Sequence, residues 1–328
     1  MNNSVAKIFI VRLISSVIIL FLLISSIFIL LRIAPGDPAQ KFISPELSTE
    51  LAGKVRESFH LNGTILEQYL SFMKNLVSGN FGISYNYHTP VLSVIQDYLL
   101  FTLVFSSICF SVQIITSFQL ALMAFIKRGR FLDKSFSGIS LVIYSVPVFV
   151  IAIILIYIFS VKLQLLPSSD LKSINFDELT FPEKVFDYFK HLILPVLTLS
   201  LGGIVIFYKY LRDNFDSISN KSFVLFLRTL GMNDKEILNK HIIPNSLGPL
   251  ISVAGVRLGM LLSGSLITEV IFGLPGMGRL TVNAILLRDY PLVVGCTFVS
   301  GILIIISNLL ADILKVKIDK RLVKEIMN

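Results

Sequence analysis

Long apolar runs separated by short charged segments dominate this sequence, and they restrict the fold more than any other feature. The first run, Leu13 to Leu31, has nineteen residues and no charge. At about 1.5 Å per residue, a helix of this length crosses a hydrocarbon layer of roughly 30 Å. Candidate spans lie at roughly 13–31, 99–125, 136–160, 192–208, 249–271 and 292–314. We therefore predict an all-α polytopic membrane protein with about six transmembrane helices.

The start of the chain also has features of a secretory signal peptide, because Lys7 and Arg12 precede the first apolar run. That run is longer than the apolar region of such peptides, and no small-residue cleavage site follows it. These two features favour an uncleaved first span over residues 1–32.

Charge and cysteine content exclude several other classes of protein. The net charge of +8 is spread over short segments between spans, which does not fit a nucleic-acid surface. The two cysteines lie in different apolar runs, and the four histidines have no ligand-spaced partners. We therefore predict no disulfide framework, no metal site, no cofactor and no catalytic residue.

The distribution of basic residues predicts the orientation of the spans. Lysine and arginine are frequent before the first span, in 127–134, in 209–246 and after 314, whereas 33–97 and 161–190 carry more acidic than basic residues. The short loop 272–291 departs slightly from this alternation. The positive-inside rule places the basic segments in the cytoplasm. Both termini are thus expected to be cytoplasmic.

The segment 33–97 is too long for a turn and has helical patterns of its own. Leu47, Leu51, Val55 and Phe59 recur at a spacing of four, and a similar stripe follows over 66–76. We predict a helical extracytoplasmic insert that rests on the membrane face, with both stripes used for packing.

A charged stretch between the fourth and fifth spans, LRTLGMNDKEILNKHIIPNS (227–246), predicts a helical hairpin. Gly231 suits the left-handed residue just past the end of a first helix over 223–230. Asn233 is a candidate N-cap of a second helix, and Glu236 three residues later resembles the partner in a capping box. Pro244 is expected to end that second helix, because its ring is poorly tolerated inside one.

Three roles for this hairpin have to be weighed. A DNA-reading helix-turn-helix has a similar local shape, but the net charge is only about +2 and membrane spans flank the stretch closely. An amphipathic loop lying on the membrane is the simplest structural alternative. The third role is a docking element that offers a short helix to a cytoplasmic partner.

The hairpin resembles the cytoplasmic loop signature of permease subunits of binding-protein-dependent ABC importers, in which a proline follows a glycine after thirteen residues and an aliphatic residue precedes that proline. Gly231, Ile243 and Pro244 occupy these places. The stretch is most similar to the version found in the dipeptide/oligopeptide/nickel permease family. That version is also matched by Arg228, Lys240, His241 and Asn245. It departs from that version in LFL before Arg228, in Leu230 and in Pro244 itself.

Four further stretches resemble motifs of the same family, in the same order along the chain. They are RIAPGDPA (32–39), QYLSFMKNLVSGNFGISY (68–85), YSVPVFVIAIILIYIFSVKLQLLP (144–167) and EVIFGLPGMGRLTVNAILLRDYPLVVG (269–295). The resemblance therefore covers nearly the whole chain.

This resemblance implies a type I ABC importer permease fold in the bacterial cytoplasmic (inner) membrane. It implies an N-terminal transmembrane helix (1–32), an extracytoplasmic insert (33–97), a permease transmembrane domain (98–315) with a coupling segment at 209–248, and a cytoplasmic tail (316–328). The implied partners are a second homologous permease subunit, two cytoplasmic ABC ATPase subunits, an extracytoplasmic solute-binding protein and the lipid bilayer, with no nucleic acid. The ATPase-coupling residues would be Arg228, Gly231, Asn233, Asp234, Glu236, Lys240, His241 and Pro244.

The stretch GLPGMGRL (273–280) superficially resembles a phosphate-binding loop. Arg279 stands where that loop needs lysine, and Leu280 stands where it needs serine or threonine. We interpret the stretch as a tight external turn, and energy is expected to come from partner subunits.

The fifth span holds three candidate residues of a translocation path: Arg257, Ser263 and Glu269. Arg257 lies roughly 12 Å from the cytoplasmic end of the predicted span. Its side chain either faces a water-filled path, where it would favour substrates with carboxylates, or extends back to the interface. Glu269 is expected to cap or pair locally. Gly255 and Gly259 form a GxxxG pattern that favours close helix packing over a cavity lining.

Two rival functions are an ion-coupled secondary transporter and a non-transporting membrane scaffold. The first would carry several acidic or histidine groups at mid-membrane depth, which these spans nearly lack. The second would not need the glycine-turn hairpin. Within the family, short peptides, nickel and metal–chelator complexes all remain possible cargoes.

Overall fold

The computed structural model describes residues 2–33 and 64–318. The predicted helix over 44–59, most of the motif at 32–39 and most of the tail 316–328 lie outside the described residues. Within the described ranges the α-helices are α1 Asn2–Ile33, α2 Ile65–Val77, α3 Val91–Ile126, α4 Phe131–Ser145, α5 Val148–Leu155, α6 Phe181–Ser219, α7 Ser222–Thr229, α8 Asp234–Ile237, α9 Ile243–Leu262, α10 Leu266–Ile271, α11 Met277–Leu286 and α12 Tyr290–Ile318. Wider π-helical turns, Ile156–Lys162 and Leu238–Ile242, continue α5 and α8.

Five stretches of the described chain are long and apolar enough to cross a membrane: Ile10–Leu30, Val91–Ile126, Phe181–Ser219, Asp234–Ile271 and Tyr290–Lys317. The predicted span 136–160 is not straight, since Phe131–Ser145 and Val148–Lys162 meet at 104°. Val146 is extended ahead of Pro147, which is the conformation that proline imposes on the residue before it. Counting the bent pair as one span gives up to six, in agreement with the prediction.

The predicted span 249–271 begins earlier than expected and contains a break. Its helix runs from Asp234, and it is interrupted between Leu262 and Leu266. Gly264 lies in the break with φ +107°, a conformation that favours glycine. A side chain there would also collide with the backbone of Gly278. The break therefore lets the start of α11 pack directly against this span.

A buried apolar cluster holds one end of the bundle together. It joins the C-terminal parts of α3 and α6 to α7, α8 and the start of α9, through Ala124, Phe215, Val224, Ile237 and Leu250 among others. Phe136 near the start of α4 packs against the same cluster. We call this end of the molecule the hairpin end.

Two other clusters form the opposite end. One joins the start of α3 to α11 and the start of α12. The other packs α5 and the π-helical turn after it, through Ala152 and Phe159, against Leu194 of α6 and Phe272. The bent pair α4–α5 thus runs from the hairpin end to the opposite end, as a membrane-crossing segment must.

The two termini of the described bundle also reach the hairpin end. Gly255 and Gly259 of α9 pack closely against Ala311 and Ile304 of α12, which confirms the packing role predicted for the GxxxG pattern. Because α9 and α12 are antiparallel, the C-terminal part of α12 lies at the hairpin end. Arg12 of α1 forms an ion pair of 3.6 Å with Asp312, which brings the start of α1 there too.

Candidate functional site

The glycine turn of the hairpin (residues 222–244) has the predicted conformation. Gly231 has φ +78°, and its amide donates to the Arg228 carbonyl at 3.0 Å. The Met232 amide donates to the Leu227 carbonyl at 3.2 Å. These two bonds form a Schellman motif, in which glycine takes the left-handed place after the helix end. The partly buried side chains of Leu227 and Met232 pack against the hairpin-end cluster and anchor the turn.

The second helix of the hairpin begins as predicted, but it lacks the predicted capping box. The Asn233 side chain accepts a bond of 3.0 Å from the Lys235 amide, as an N-cap does. Glu236 does not reach back to Asn233, because its carboxylate accepts a bond of 2.6 Å from Lys240. Arg228 crosses the turn to Asp234 at 3.1 Å. Exposed ion pairs therefore link the two helices and brace the second one.

The prediction that Pro244 ends the second helix is wrong. Residues 238–242 form a π-helical turn, in which the Ile243 amide donates to the Leu238 carbonyl five residues back. The wider turn accommodates the Pro244 ring, and proline needs no amide partner in the first turn of α9. The Asn245 side chain donates to the His241 carbonyl at 2.6 Å. The hairpin helix thus continues without interruption into the membrane span.

The hairpin has one face fixed in the bundle and another left exposed. Val224, Ile237 and Ile242 are buried in the hairpin-end cluster. On the other face, Phe226 and Leu230 are 62% and 63% exposed. The exposed charged and polar side chains beside them are Arg228, Asn233, Asp234, Lys235, Asn239 and Lys240. A rigid, partly apolar surface of this kind suits a protein partner.

Sequence reasoning missed an ionic cluster beside the hairpin. Arg212 of α6 donates to both oxygens of Asp133 at 3.2 and 3.1 Å, and it also contacts Asp216. Arg128 pairs with Asp216 at 3.2 Å. The cluster ties α6 to the start of α4 and to the loop before it. Only the i,i+4 spacing of Arg212 and Asp216 was visible in the sequence.

A cavity of about 350 Å³ lies between α3, α6, α9 and the bend of the α4–α5 pair. Gln113 and Thr198, which line it, lie near the middle of α3 and α6. The remaining lining residues are mostly apolar, apart from Tyr144, Arg257 and Ser265. The cavity therefore lies at mid-height of the bundle, at the level where α4 and α5 meet, and it opens to the surface beside Tyr144 and Met260, which are exposed.

The structure brings Arg257 to this cavity, but it does not bring Ser263 or Glu269 there. Ser263 ends α9, and its carbonyl accepts a bond of 3.0 Å from Ser300 of α12. The Glu269 carboxylate is fully buried. It accepts bonds from the Arg279 amide at 3.0 Å and from the Ser265 amide at 3.2 Å. Glu269 thus caps the start of α11, which is the local role expected of it.

A second buried carboxylate, Asp289, was missed as a structural residue. It accepts bonds from the Ser84 hydroxyl at 2.5 Å and from the Asn86 amide at 3.0 Å. It also accepts one from the Leu292 amide at 3.3 Å. Ser84 and Asp289 both lie in stretches that resemble family motifs, but nothing in the sequence indicated that they contact each other across 205 positions.

Comparisons with known proteins cover almost the whole chain. The family model described as "Binding-protein-dependent transport system inner membrane component" matches residues 114–324. The model for the N-terminal part of such components matches residues 5–106. Together they span the first helix, the hairpin, the cavity and α12.

Among curated relatives, a probable peptide ABC transporter permease protein from Sinorhizobium fredii is 32% identical over 95% of this chain and 97% of its own. The nickel import system permease protein NikB from Staphylococcus aureus is 30% identical, over 94% and 90%. The oligopeptide transport system permease protein AppB from Bacillus subtilis is 29% identical, over 90% and 92%. A solved structure of the MetNI methionine ABC transporter in inward facing conformations matches with a TM-score of 0.50 and 15% identity, over 72% of this chain and 98% of that one.

Proposed function

Because this chain belongs to the family of inner membrane components of binding-protein-dependent transport systems, and has the fold of a type I ABC importer permease, we propose that it moves short peptides, nickel or metal–chelator complexes from a solute-binding protein into the cytoplasm. Two partner ATPase subunits would drive the movement, and a second homologous permease would complete the pathway. The chain is a multi-pass protein of the inner membrane, and it is a transporter subunit rather than an enzyme.

This proposal rests mainly on the structure of the hairpin, which has one buried face and one exposed face. Buried Val224, Ile237 and Ile242 fix it to the bundle, and exposed Phe226 and Leu230 face away from it. A loop resting on the bilayer would not need the Schellman turn and the buried anchors that hold this shape. We assign the exposed face to a cytoplasmic ATPase, so that the hairpin end is the cytoplasmic end and both termini are cytoplasmic.

The connection from the hairpin to the membrane supports a mechanical role. The helix that begins at Asp234 runs on through the π-helical turn into α9 and reaches Arg257 at the cavity. A displacement of the hairpin by closing ATPases would therefore move α9 as well. Val224 and Ile237 of the hairpin pack with Phe215 of α6 in the hairpin-end cluster, so the same movement would also reach α6, which lines the cavity from another side. Alternating access requires that ATP and solute each favour one of two arrangements of these helices.

The cargo classes follow from the relatives, which are named for peptide, oligopeptide and nickel transport. The solute-binding protein would dock on the opposite end, where the carboxylates of Asp289 and Glu269 are used within the fold. Because both carboxylates are used within the fold, we assign neither of them to cargo binding.

The test is purification of a tagged chain from its native membrane, followed by reconstitution. We expect the chain to copurify with a second permease and with an ATPase, and the assembly to take up solute only with ATP and the binding protein. An ion-coupled transporter would instead accumulate solute in vesicles that hold this chain alone. A scaffold would show no uptake in either preparation.

A further inference from the structure

We propose that this cavity binds the carboxylate of the transported solute through Arg257, so that the cargo carries a carboxylate together with a hydrogen-bond donor and is not a bare divalent cation. This inference rests on the proposed function, because the cavity takes solute only if the chain is a permease. Among the cargo classes of the family, it favours short peptides and metal–carboxylate complexes over bare nickel.

Arg257 has no internal partner for its charge. Among the residues that the structure describes, no carboxylate pairs with it and no hydrogen bond uses it. The other arginines in the five membrane-crossing stretches of the described chain are paired, Arg12 with Asp312 and Arg212 with Asp133. An unpaired charge deep between membrane helices is costly, and such charges mark substrate pathways. A substrate carboxylate would supply the missing counter-charge.

Two other cavity residues each have a polar atom without a partner. The Gln113 Oε1 atom and the Thr198 hydroxyl are buried, and neither has a hydrogen-bond partner among the described residues. The Gln113 amide nitrogen is already used, since it donates to the Leu199 carbonyl at 3.2 Å. What Gln113 still offers is therefore an acceptor, which suits an N–H or O–H donor of the substrate. Thr198 offers a hydroxyl that donates to a carboxylate.

Size and charge then restrict the cargo. A volume of about 350 Å³ lies at the low end of the range of roughly 300–1,000 Å³ for small-molecule pockets. No acidic, thiol or imidazole group is among the lining residues in the described part of the chain, and the single charge is positive. A bare nickel ion would meet repulsion and no suitable ligands. A short peptide, or a metal held by a carboxylate chelator, would meet complementary groups.

The test measures ATP-dependent uptake into proteoliposomes that hold the intact assembly with its binding protein. Four probes are compared: dialanine, dialanine amide, radioactive nickel alone and radioactive nickel with citrate. The variants are Arg257→Gln and Arg257→Lys. Arg12→Gln is the matched control, since it removes an arginine from another span that is paired with Asp312 and does not line the cavity. The readout is the ratio between probes, which cancels general losses of folded protein.

We expect the wild-type assembly to prefer dialanine to its amide, or nickel citrate to nickel alone. Arg257→Gln should remove that preference by lowering uptake of the preferred carboxylate about tenfold or more, since charge-assisted hydrogen bonds are lost. Arg257→Lys should keep part of the preference, and Arg12→Gln should keep all of it. A preference for dialanine indicates a peptide source for the carboxylate, and one for nickel citrate indicates a chelator.

Three results would overturn the inference: uptake of nickel alone that equals or exceeds that of nickel citrate, no preference for the carboxylate in either pair of probes, or an unchanged preference in Arg257→Gln. Uptake of none of the four probes would also contradict it. The proposed function is tested separately in the same preparation, by copurification of the ATPase. If the assembly contains the ATPase but its preference between probes is the same in Arg257→Gln, the cavity proposal is refuted and the importer proposal stands.

Discussion

The hairpin end and the opposite end of this bundle use acidic side chains in contrasting ways. At the hairpin, Glu236 and Asp234 form ion pairs on an exposed surface. At the opposite end, Glu269 and Asp289 are fully buried and accept backbone hydrogen bonds from neighbouring turns. Buried carboxylates of this kind define the fold, whereas the exposed ones leave a charged surface free for a partner.

Two glycines repeat this contrast. Gly231 in the hairpin has open space around it, so its requirement for glycine lies only in its φ of +78°. Gly276 before α11 has an extended backbone with φ −112°, but a Cβ there would overlap the Glu269 carboxylate. The first position needs conformational freedom, and the second needs room.

The largest effect is expected from Asp289→Ala. The change leaves the Ser84 hydroxyl and the Asn86 amide without their acceptor in a buried place. We expect a loss of about 3 kcal/mol in the free energy of unfolding, with faster hydrogen exchange over 80–90. Thermal unfolding in detergent measures the first effect. Asp97→Ala at the same end is the matched control, since Asp97 is exposed, and equal losses in the two variants would refute the role given to Asp289.

Gly276→Ala should have the next largest effect. The new methyl group would displace the Glu269 carboxylate from the start of α11, and overpacking of this kind costs about 1–3 kcal/mol. Gly138→Ala is the control, because Gly138 lies inside α4 with open space around it. That variant should be neutral or slightly stabilised. If the two variants unfold at the same temperature, the role of Gly276 is not to leave space for the Glu269 carboxylate.

Gly231→Ala should destabilise the hairpin by about 1–2 kcal/mol, because alanine has to adopt a left-handed conformation there. The loss should be local to 222–244 in hydrogen exchange, with the spans unaffected. We also expect less ATPase to copurify with this variant than with Gly138→Ala. Wild-type protection of 222–244 in the variant would mean that the glycine turn does not set the shape of the hairpin.

The smallest effect on stability is expected from Lys240→Glu. Its partner Glu236 lies on an exposed surface, where ion pairs contribute little to folding, so the unfolding temperature should not change measurably. The proposed docking face would nevertheless carry a reversed charge, which should weaken association with the ATPase, most strongly at low salt. Copurification across a salt series measures this. Unaltered ATPase recovery at low salt would exclude Lys240 from the interface.

How far the sequence predicts each end depends on the range of the interactions. Gly231 and Asn233 act on residues one to four positions away, so local turn chemistry predicted their conformations. Pro244 was misjudged because the rule for α-helices does not consider a π-helical turn before it. The 104° bend at Pro147 lies within an apolar run, and hydropathy alone contains no signal for a bend.

The contacts that sequence reasoning missed join distant parts of the chain. Asp133 meets Arg212 from another helix, and Asp289 meets Ser84 across the bundle. A carboxylate in the sequence indicates that a partner is needed, but it does not indicate which residue the partner is. The cavity is likewise the product of four helices, so Arg257 could be suspected from its depth, but Gln113 and Thr198 could not be placed beside it.

The claim that the hairpin docks on an ATPase is tested most directly by site-specific photocrosslinking in the intact assembly. A photoreactive residue replaces Leu230, which is 63% exposed in the hairpin, or Ile174, which is fully exposed at the opposite end. We predict that position 230 crosslinks to the nucleotide-hydrolysing subunit and that position 174 does not. An ATPase crosslink from position 174, or none from position 230 in an assembly that hydrolyses ATP, would contradict it.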